Sequence, residues 1–225
     1  MSDQSVTGVI QSRRAVRVFA EKPVAEETLR EILSLASRAP SNGNLQPWKV
    51  YAVTGDALRE ALLSINTGLY TDGNMEAPQY PIYPEKLHEP FRSRRHDCGE
   101  RMYTALGIER EDKAGRIKQV MKNYQFFGAP VGIILTMEES MDLGQAVDVG
   151  IFAQSLMLLA KERGLDTCPQ ASWAQWPKRV RAALGIADDE KVMVGISLGY
   201  AADHPVNDVE QPRVAVDDFA SLRGF

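Results

Sequence analysis

Residues 39–48 combine hydrogen-bonding side chains with residues that restrict or reshape the backbone. They connect a predicted helix to a predicted strand. Pro40 and Pro47 stiffen the chain, and Gly43 admits conformations that other residues avoid. Donors and acceptors come from four side chains, those of Ser41, Asn42, Asn44 and Gln46. This set suits a planar, heteroatom-rich group held by its edge; the alternative is a turn whose amides satisfy their own backbone.

Three arginines, Arg13, Arg14 and Arg17, lie at the end of the first predicted helix. Guanidinium groups bind phosphate bidentately and also reach carbonyl oxygens, so the cluster predicts an anion site. The alternative is a solvated basic edge that complements the C-terminus of the helix.

Several common site types have no motif in the 225 residues. There is no dinucleotide-binding glycine turn, no P-loop, no nucleophile elbow and no Cys–His pair. Two cysteines, Cys98 and Cys168, and three scattered histidines predict neither a disulfide framework nor a metal site. A net charge of -4 argues against a nucleic-acid or anionic-membrane surface. Any bound cofactor must therefore be held by arginines and amides.

Hydrophobic periodicity predicts an alternation of helices and strands. Helices are expected from residue 6 to about 12, at 23–36, 56–65, 91–106, 109–124, 145–163 and 177–184, and strands at 48–53, 129–136, just after 165 and at 191–200. Residues 66–90 show no period, which is typical of a lid or binding loop. Neither a linker nor an internal repeat divides the chain, so one domain, 1–225, is predicted.

The predicted helix 145–163 is apolar nearly all round. Such a helix is usually buried in a core or an interface, and for this chain length a dimer core is expected. No apolar run follows a basic stretch at the N-terminus, so no signal peptide is predicted. No window is expected to approach the ~20 apolar residues of a membrane span. These features predict a soluble, cytoplasmic protein.

The arginine cluster and the 39–48 loop are the first of five segments that resemble one family. The others are Phe127-Gly128-Ala129-Pro130-Val131, then Arg163-Gly164-Leu165 with Cys168-Pro169-Gln170, and Leu198-Gly199-Tyr200 before a tail with Gln211-Pro212-Arg213. In this order and spacing they resemble the FMN-dependent nitroreductase family over nearly the whole chain. Within that family the chain looks closest to the nitrobenzoate and nitrobenzene reductases.

The resemblance implies an α+β fold with a mixed central sheet flanked by helices. It also implies an intertwined homodimer with two FMN sites at the subunit interface, and a substrate-side insertion at about residues 66–125. The implied FMN-binding residues are Arg13, Arg14, Ala15 and Arg213 at the phosphate and ribityl end, Arg17 at the N1/C2-carbonyl edge, Asn123 or alternatively Lys122 at the pyrimidine edge, Gln170, Ala171 and Ser172 at N5, and Pro40, Ser41, Asn42 and Asn44 from the other subunit.

Two positions depart from the pattern of the family. Ala15 stands where many members have a serine, which removes one hydroxyl contact to the cofactor. Gln211 stands where some members have a lysine, so the phosphate site depends more on Arg213.

The implied reaction is a ping-pong reduction of nitroaromatic compounds by NADH or NADPH, giving nitroso and then hydroxylamino products. No catalytic side chain and no metal are implied, because flavin N5 carries the chemistry. The candidate substrate slot consists of Tyr70, Tyr83, Tyr103, Tyr124, Phe126 and Phe127. For most of these rings the alternative is a peripheral aromatic core.

Other activities remain open at this point. The same fold would suit a quinone, enone or free-flavin reductase, or a reductive dehalogenase. A flavin-binding protein without turnover would use the same arginines.

Overall fold

A four-stranded sheet lies at the centre of the fold. The structure is a computed structural model that describes residues 5–71 and 76–225, apart from the side chains of Tyr70 and Thr71. The strands are β1 (Lys49–Thr54), β2 (Val131–Glu138), β3 (Asp166–Gln170) and β4 (Glu190–Gly199), and they lie side by side in the order β1-β2-β4-β3.

All three strand pairings are antiparallel. The expectation of a mixed sheet is therefore wrong for these four strands, although an isolated parallel bridge joins Ala15 to Thr167. Continuous apolar runs such as β2 identify a strand buried on both faces. They do not reveal the direction of its neighbours, and the sequence pattern could not decide this point.

Seven α-helices surround the sheet in the described part of the chain. They are α1 (Val6–Ser12), α2 (Glu26–Ala36), α3 (Gly55–Thr71), α4 (Phe91–Ala105), α5 (Lys113–Met121), α6 (Leu143–Glu162) and α7 (Pro177–Leu184). Helix α3 continues six residues beyond its predicted end at Ile65. Its extension is supported by Asn66, whose side-chain amide donates to the carbonyls of Leu62 and Tyr124.

Helix α6 begins with a capping box in which Asp142 and Gln145 satisfy each other's backbone N–H groups. One face packs on the sheet through buried residues such as Phe152 and Leu156. By length and composition α6 could cross a membrane, so the expectation that no window reaches that length is wrong for this helix. Core helices of soluble proteins meet the same criterion, and the packed face fits that case.

Two hydrophobic cores lie on opposite faces of the sheet, because successive residues of a strand point to opposite sides. Ile133 belongs to the core beneath α6, and Ile134 belongs to an aromatic core around Trp173. The Trp173 ring lies against Gly195, where any side chain would collide with the indole. The aromatic core therefore sets the position of the chain just after β3.

Candidate active site

The arginine cluster leaves α1 and runs along β3. Ala15 forms its parallel bridge with Thr167, and the Val16 N–H donates to the Thr167 carbonyl over 3.0 Å. A guanidinium nitrogen of Arg17 donates to the Ala15 carbonyl at 3.3 Å. The cluster is thus attached to one edge of the sheet.

Two guanidinium groups lie close enough to Cys168 to affect its thiol. Burial raises the pKa of Cys168 to about 11, while the positive charges of Arg17 and Arg13 act in the opposite direction. A thiol with so high a pKa is protonated at neutral pH and is a poor nucleophile. The same observation locates two positive charges beside β3.

Arg14 turns towards the C-terminal tail. Its guanidinium pairs with Glu210 at 3.0 Å and with Asp208 at 3.7 Å. Arg213 donates to the backbone carbonyls of Gln211 and Pro212. Because both carboxylates are exposed, the ion pairs of Arg14 are worth only about 0–1 kcal/mol. A phosphate group, which carries more charge, can therefore replace them.

The end of β3 brings Gln170 and Asn123 together. The Gln170 side-chain amide donates to the Asn123 carbonyl at 2.7 Å, and its oxygen accepts from the Ser197 hydroxyl at 2.7 Å. Ala171 and Ser172 open the next turn, Ala171–Gln175. The Ser172 hydroxyl oxygen is buried and has no hydrogen-bond partner among the described residues. The Thr167 hydroxyl on β3 and the indole N–H groups of Trp173 and Trp176 are also buried without a hydrogen-bond partner among the described residues.

The loop 39–48 lies over α6. The Asn42 N–H donates to both carboxylate oxygens of Asp148, at 3.2 and 3.3 Å, and the Gln46 N–H donates to the Ser41 hydroxyl at 3.0 Å. Asn44 and Gln46 have positive φ angles of 57° and 49°. Left-handed conformations cost non-glycine residues about 1–3 kcal/mol and are often found at functional sites. The loop presents the side-chain amides of Asn42 and Asn44 to solvent, and the Pro40 ring beside them is exposed as well.

Three of the aromatic residues assigned to the substrate slot are buried. Phe126 stacks on Trp173 with 4.4 Å between ring centroids, and Tyr124 meets Trp173 edge-on at 5.6 Å. Phe127 lies in the same core. Their burial argues against direct contact with a substrate in this conformation and agrees with the alternative of an aromatic core.

Two other aromatic residues remain accessible. Tyr83 is 51% exposed, with the Arg95 guanidinium 4.2 Å above its ring. Tyr103 is half-buried beneath the guanidinium of Arg116, also at 4.2 Å. The side chain of Tyr70 lies outside the described residues.

Two residues of this region carry contacts that the sequence did not predict. Asp148 is an acid in the middle of the apolar run of α6, which is a signal that could have identified it. Asn207 is 8% exposed and hydrogen-bonds to the arginine segment, but nothing distinguishes it from the other polar residues of the tail. Among the described residues, no group of three or more histidine, cysteine or acidic side chains could hold a metal ion.

Comparison with known proteins identifies the family of this chain. The model of the nitroreductase family matches residues 10–200. The chain belongs to the nitroreductase family. The match includes the arginine cluster, the 39–48 loop and the end of β3.

Characterised members of the family cover almost the full chain. It is 37% identical over 219 residues to a nitrobenzene nitroreductase of Ectopseudomonas oleovorans, covering 96% of both chains. It is 36% identical to a 4-nitrobenzoate reductase of Pseudomonas putida, covering 96% of this chain and 95% of that one.

Solved structures of the family agree closely with this one. The crystal structure of the FMN- and NADPH-dependent nitroreductase NfnB of sphigopyxis sp. strain HMH superposes with a TM-score of 0.94 at 42% identity, covering 98% of this chain and 100% of that one. NfnB of Mycobacterium smegmatis, in complex with NADPH, gives a TM-score of 0.92 at 35% identity, covering 98% and 99%. The fold of this chain is the nitroreductase fold.

The residues present fit a flavin phosphate ester chemically. Arginines 13, 14 and 17 supply positive charge along β3, and the ion pairs of Arg14 are exchangeable. The unsatisfied Ser172 hydroxyl adds a polar contact at the other end of the strand. An isoalloxazine edge and a phosphate need these donors, so the donor set suits FMN.

Proposed function

We propose that this chain is an FMN-dependent NAD(P)H nitroreductase that reduces nitroaromatic compounds by two-electron ping-pong steps to nitroso and hydroxylamino products. The observation that carries the proposal is the alignment of the arginine cluster with β3. Relatives at 36–37% identity, which cover 96% of this chain, bear the names of nitroaromatic reductases.

When bound, FMN would supply the redox chemistry, accepting a hydride from NADH or NADPH and delivering electron pairs to the nitro group. Arg13, Arg14 and Arg213 would neutralise the phosphate. Arg17 would provide a permanent positive charge at the flavin edge, where reduction places negative charge. The backbone from Gln170 to Ser172 would orient the ring. The protein therefore contributes positioning and charge rather than a nucleophile.

We further propose that the active protein is a homodimer, because α6 carries an uncovered apolar stripe. Leu143, Val147 and Ile151 recur at every fourth position and are 76%, 57% and 37% exposed. The loop 39–48 is anchored beside this stripe by Asp148. A second copy packed on α6 would bury the stripe. Residues Ser41–Asn44 of the first copy would then reach the flavin of the second copy.

An intertwined arrangement is supported at the β1 edge of the sheet. An apolar groove of about 430 Å³ lies between α2 and the edge strand β1, where backbone groups have no neighbouring strand. The C-terminal tail exposes apolar side chains that need cover, namely Val214, Val216, Phe219, Leu222 and Phe225. The tail of one subunit would fill the groove of the other.

For the substrate slot we propose the accessible rings of Tyr83 and Tyr103 on the insertion 66–125 of the single domain. Each ring lies beneath an arginine, which would favour an electron-poor or carboxylated aromatic ring nearby. A cytoplasmic location is proposed as part of the same assignment, by likeness to the bacterial nitroreductases named above.

The experiment is spectroscopic. Purified protein is supplied with FMN, freed of unbound flavin, and titrated anaerobically with NADPH or NADH before 4-nitrobenzoate is added. We expect flavin absorbance that bleaches with the nucleotide and returns with the nitroarene, while hydroxylaminobenzoate forms. Bleaching that only quinones or free flavin reverse would favour the sister activities. Flavin that never bleaches would indicate a carrier, and protein that retains no FMN would refute the assignment.

A further inference from the structure

Asn207 makes four hydrogen bonds with its side-chain amide. The oxygen accepts from the N–H groups of Arg17 and Val18, at 2.9 and 3.3 Å. The nitrogen donates to the carbonyls of Val18 and Ala202, at 2.8 and 2.9 Å. With 8% of its surface exposed, this amide is saturated and largely shielded from water.

The side-chain amide of Asn207 forms hydrogen bonds to the arginine segment like those that a neighbouring strand would form. On one side, the Val16 N–H is held by the Thr167 carbonyl of β3. Further along, Asn207 pairs with both the N–H and the carbonyl of Val18, as a neighbouring strand would. Arg17 lies between these two attachments, and its own N–H is held by Asn207.

We propose that Asn207 is a positioning residue for Arg17, fixing the backbone from which its guanidinium reaches the cofactor. This inference rests on the proposed function, since it concerns the bound FMN. A charged group stabilises a ligand more strongly when its position is fixed before binding, and displacements of about 1 Å are costly. The bond from Arg17 to the Ala15 carbonyl at 3.3 Å restricts the side chain, but Asn207 fixes its main chain.

The chemistry of the residue supports this role. An asparagine can accept and donate at once, which the pattern around Arg17 and Val18 requires. An aspartate would keep both acceptor contacts, but it would turn a carboxylate towards the carbonyls of Val18 and Ala202. It would also place a negative charge beside Arg17.

A double-mutant cycle tests the proposal. The variants are Asn207→Ala, Arg17→Gln and the two combined, and the measurements are the Kd for FMN by fluorescence quenching and the midpoint potential of bound FMN. We expect Asn207→Ala to weaken binding about tenfold and to lower the potential. In the Arg17→Gln background it should cause no further loss beyond about twofold.

Independent losses in the two single variants would overturn the proposal, because they would mean that Asn207 anchors the tail without acting through Arg17. An unchanged potential in Asn207→Ala would overturn it as well. Thr136→Val serves as a control. Thr136 is a buried residue near the C-terminal end of β2, and it hydrogen-bonds to Glu190. This variant should lose stability and keep its affinity for FMN.

If Asn207→Ala does not fold, Asn207→Ser replaces it in the same cycle, with the same criteria. Failure of the proposed function has a different signature. Wild-type protein that retains no FMN would reject both the assignment and this inference, whereas wild-type binding with an unaffected Asn207 variant rejects the inference alone.

Discussion

The carboxylate of Asp148 accepts the backbone N–H of Asn42 across 106 residues of sequence, at 3.2 and 3.3 Å. Asp148 is 5% exposed and lies on the helix that also carries the uncovered apolar stripe. The loop and the proposed subunit interface therefore share one rigid support. A displacement of α6 should also displace the loop, because hydrogen bonds to a charged group are worth about 1.5–3 kcal/mol.

Replacing Asp148 by alanine should weaken FMN binding about tenfold, because the Asn42 N–H loses its acceptor and the left-handed turn relaxes. Asp148→Asn should restore most of the affinity, since the amide oxygen still accepts. Fluorescence quenching of FMN measures both. Equal affinities for the alanine variant and the wild type would show that the loop needs no such anchor.

Arg14→Gln should weaken binding of FMN by about 10–100-fold and leave binding of riboflavin unchanged, because riboflavin lacks the phosphate. Glu210→Gln should have the opposite, smaller effect, since it frees Arg14 from an ion pair at 3.0 Å. Isothermal titration calorimetry of the wild type and of both variants, with FMN and with riboflavin, gives the dissociation constants to be compared.

A matched control for Arg14 is Arg59→Gln. Arg59 is exposed on α3 and pairs with Asp56 one turn away. The substitution Arg59→Gln therefore removes one positive charge, as Arg14→Gln does, but from another surface. An equal loss of riboflavin and FMN affinity in Arg14→Gln would contradict a phosphate role.

Val147→Glu should convert the dimer to monomers and abolish tight FMN binding, because it places a charge in the centre of the α6 stripe. Sedimentation velocity gives the oligomeric state at several concentrations. Leu63→Glu is the control, as Leu63 is 70% exposed on α3. A Val147→Glu variant that sediments like the wild type would exclude α6 as the interface.

The sequence predicted the strands and α6 well, because long apolar runs are local signals. It predicted the arginine cluster and the loop as candidate site segments for the same reason, since the residues of each are close in sequence. Asn207 and Asp148 escaped because their contacts span 190 and 106 residues. Phe126 and Phe127 were assigned to a slot because composition does not distinguish a buried ring from an accessible one. Both have positive φ angles, and the Phe126 ring stacks on Trp173, a contact between segments far apart in the sequence.

Glu190 is expected to make the stability of the fold dependent on pH. Its carboxylate is buried and accepts hydrogen bonds from Thr136, Lys49 and Tyr51. Burial raises the pKa of Glu190, but the three donors outweigh it, so the pKa lies below its ordinary value of 4.5. A lowered pKa means that the carboxylate stabilises the fold above that value and that this contribution is lost as the pH falls through the folded-state pKa.

Glu190→Gln should therefore have a lower Tm than the wild type at pH 7, because a neutral amide accepts more weakly from Lys49. The difference should shrink below about pH 4.5, where this carboxyl group takes up protons in the unfolded chain, and it should be lost as the pH falls through the lower folded-state pKa. Thermal unfolding at a series of pH values from 3 to 8 measures it, with Glu60→Gln on the exposed face of α3 as the control for charge alone. A difference that stays constant down to pH 3 would mean that the hydrogen bonds of Glu190 do not depend on its charge.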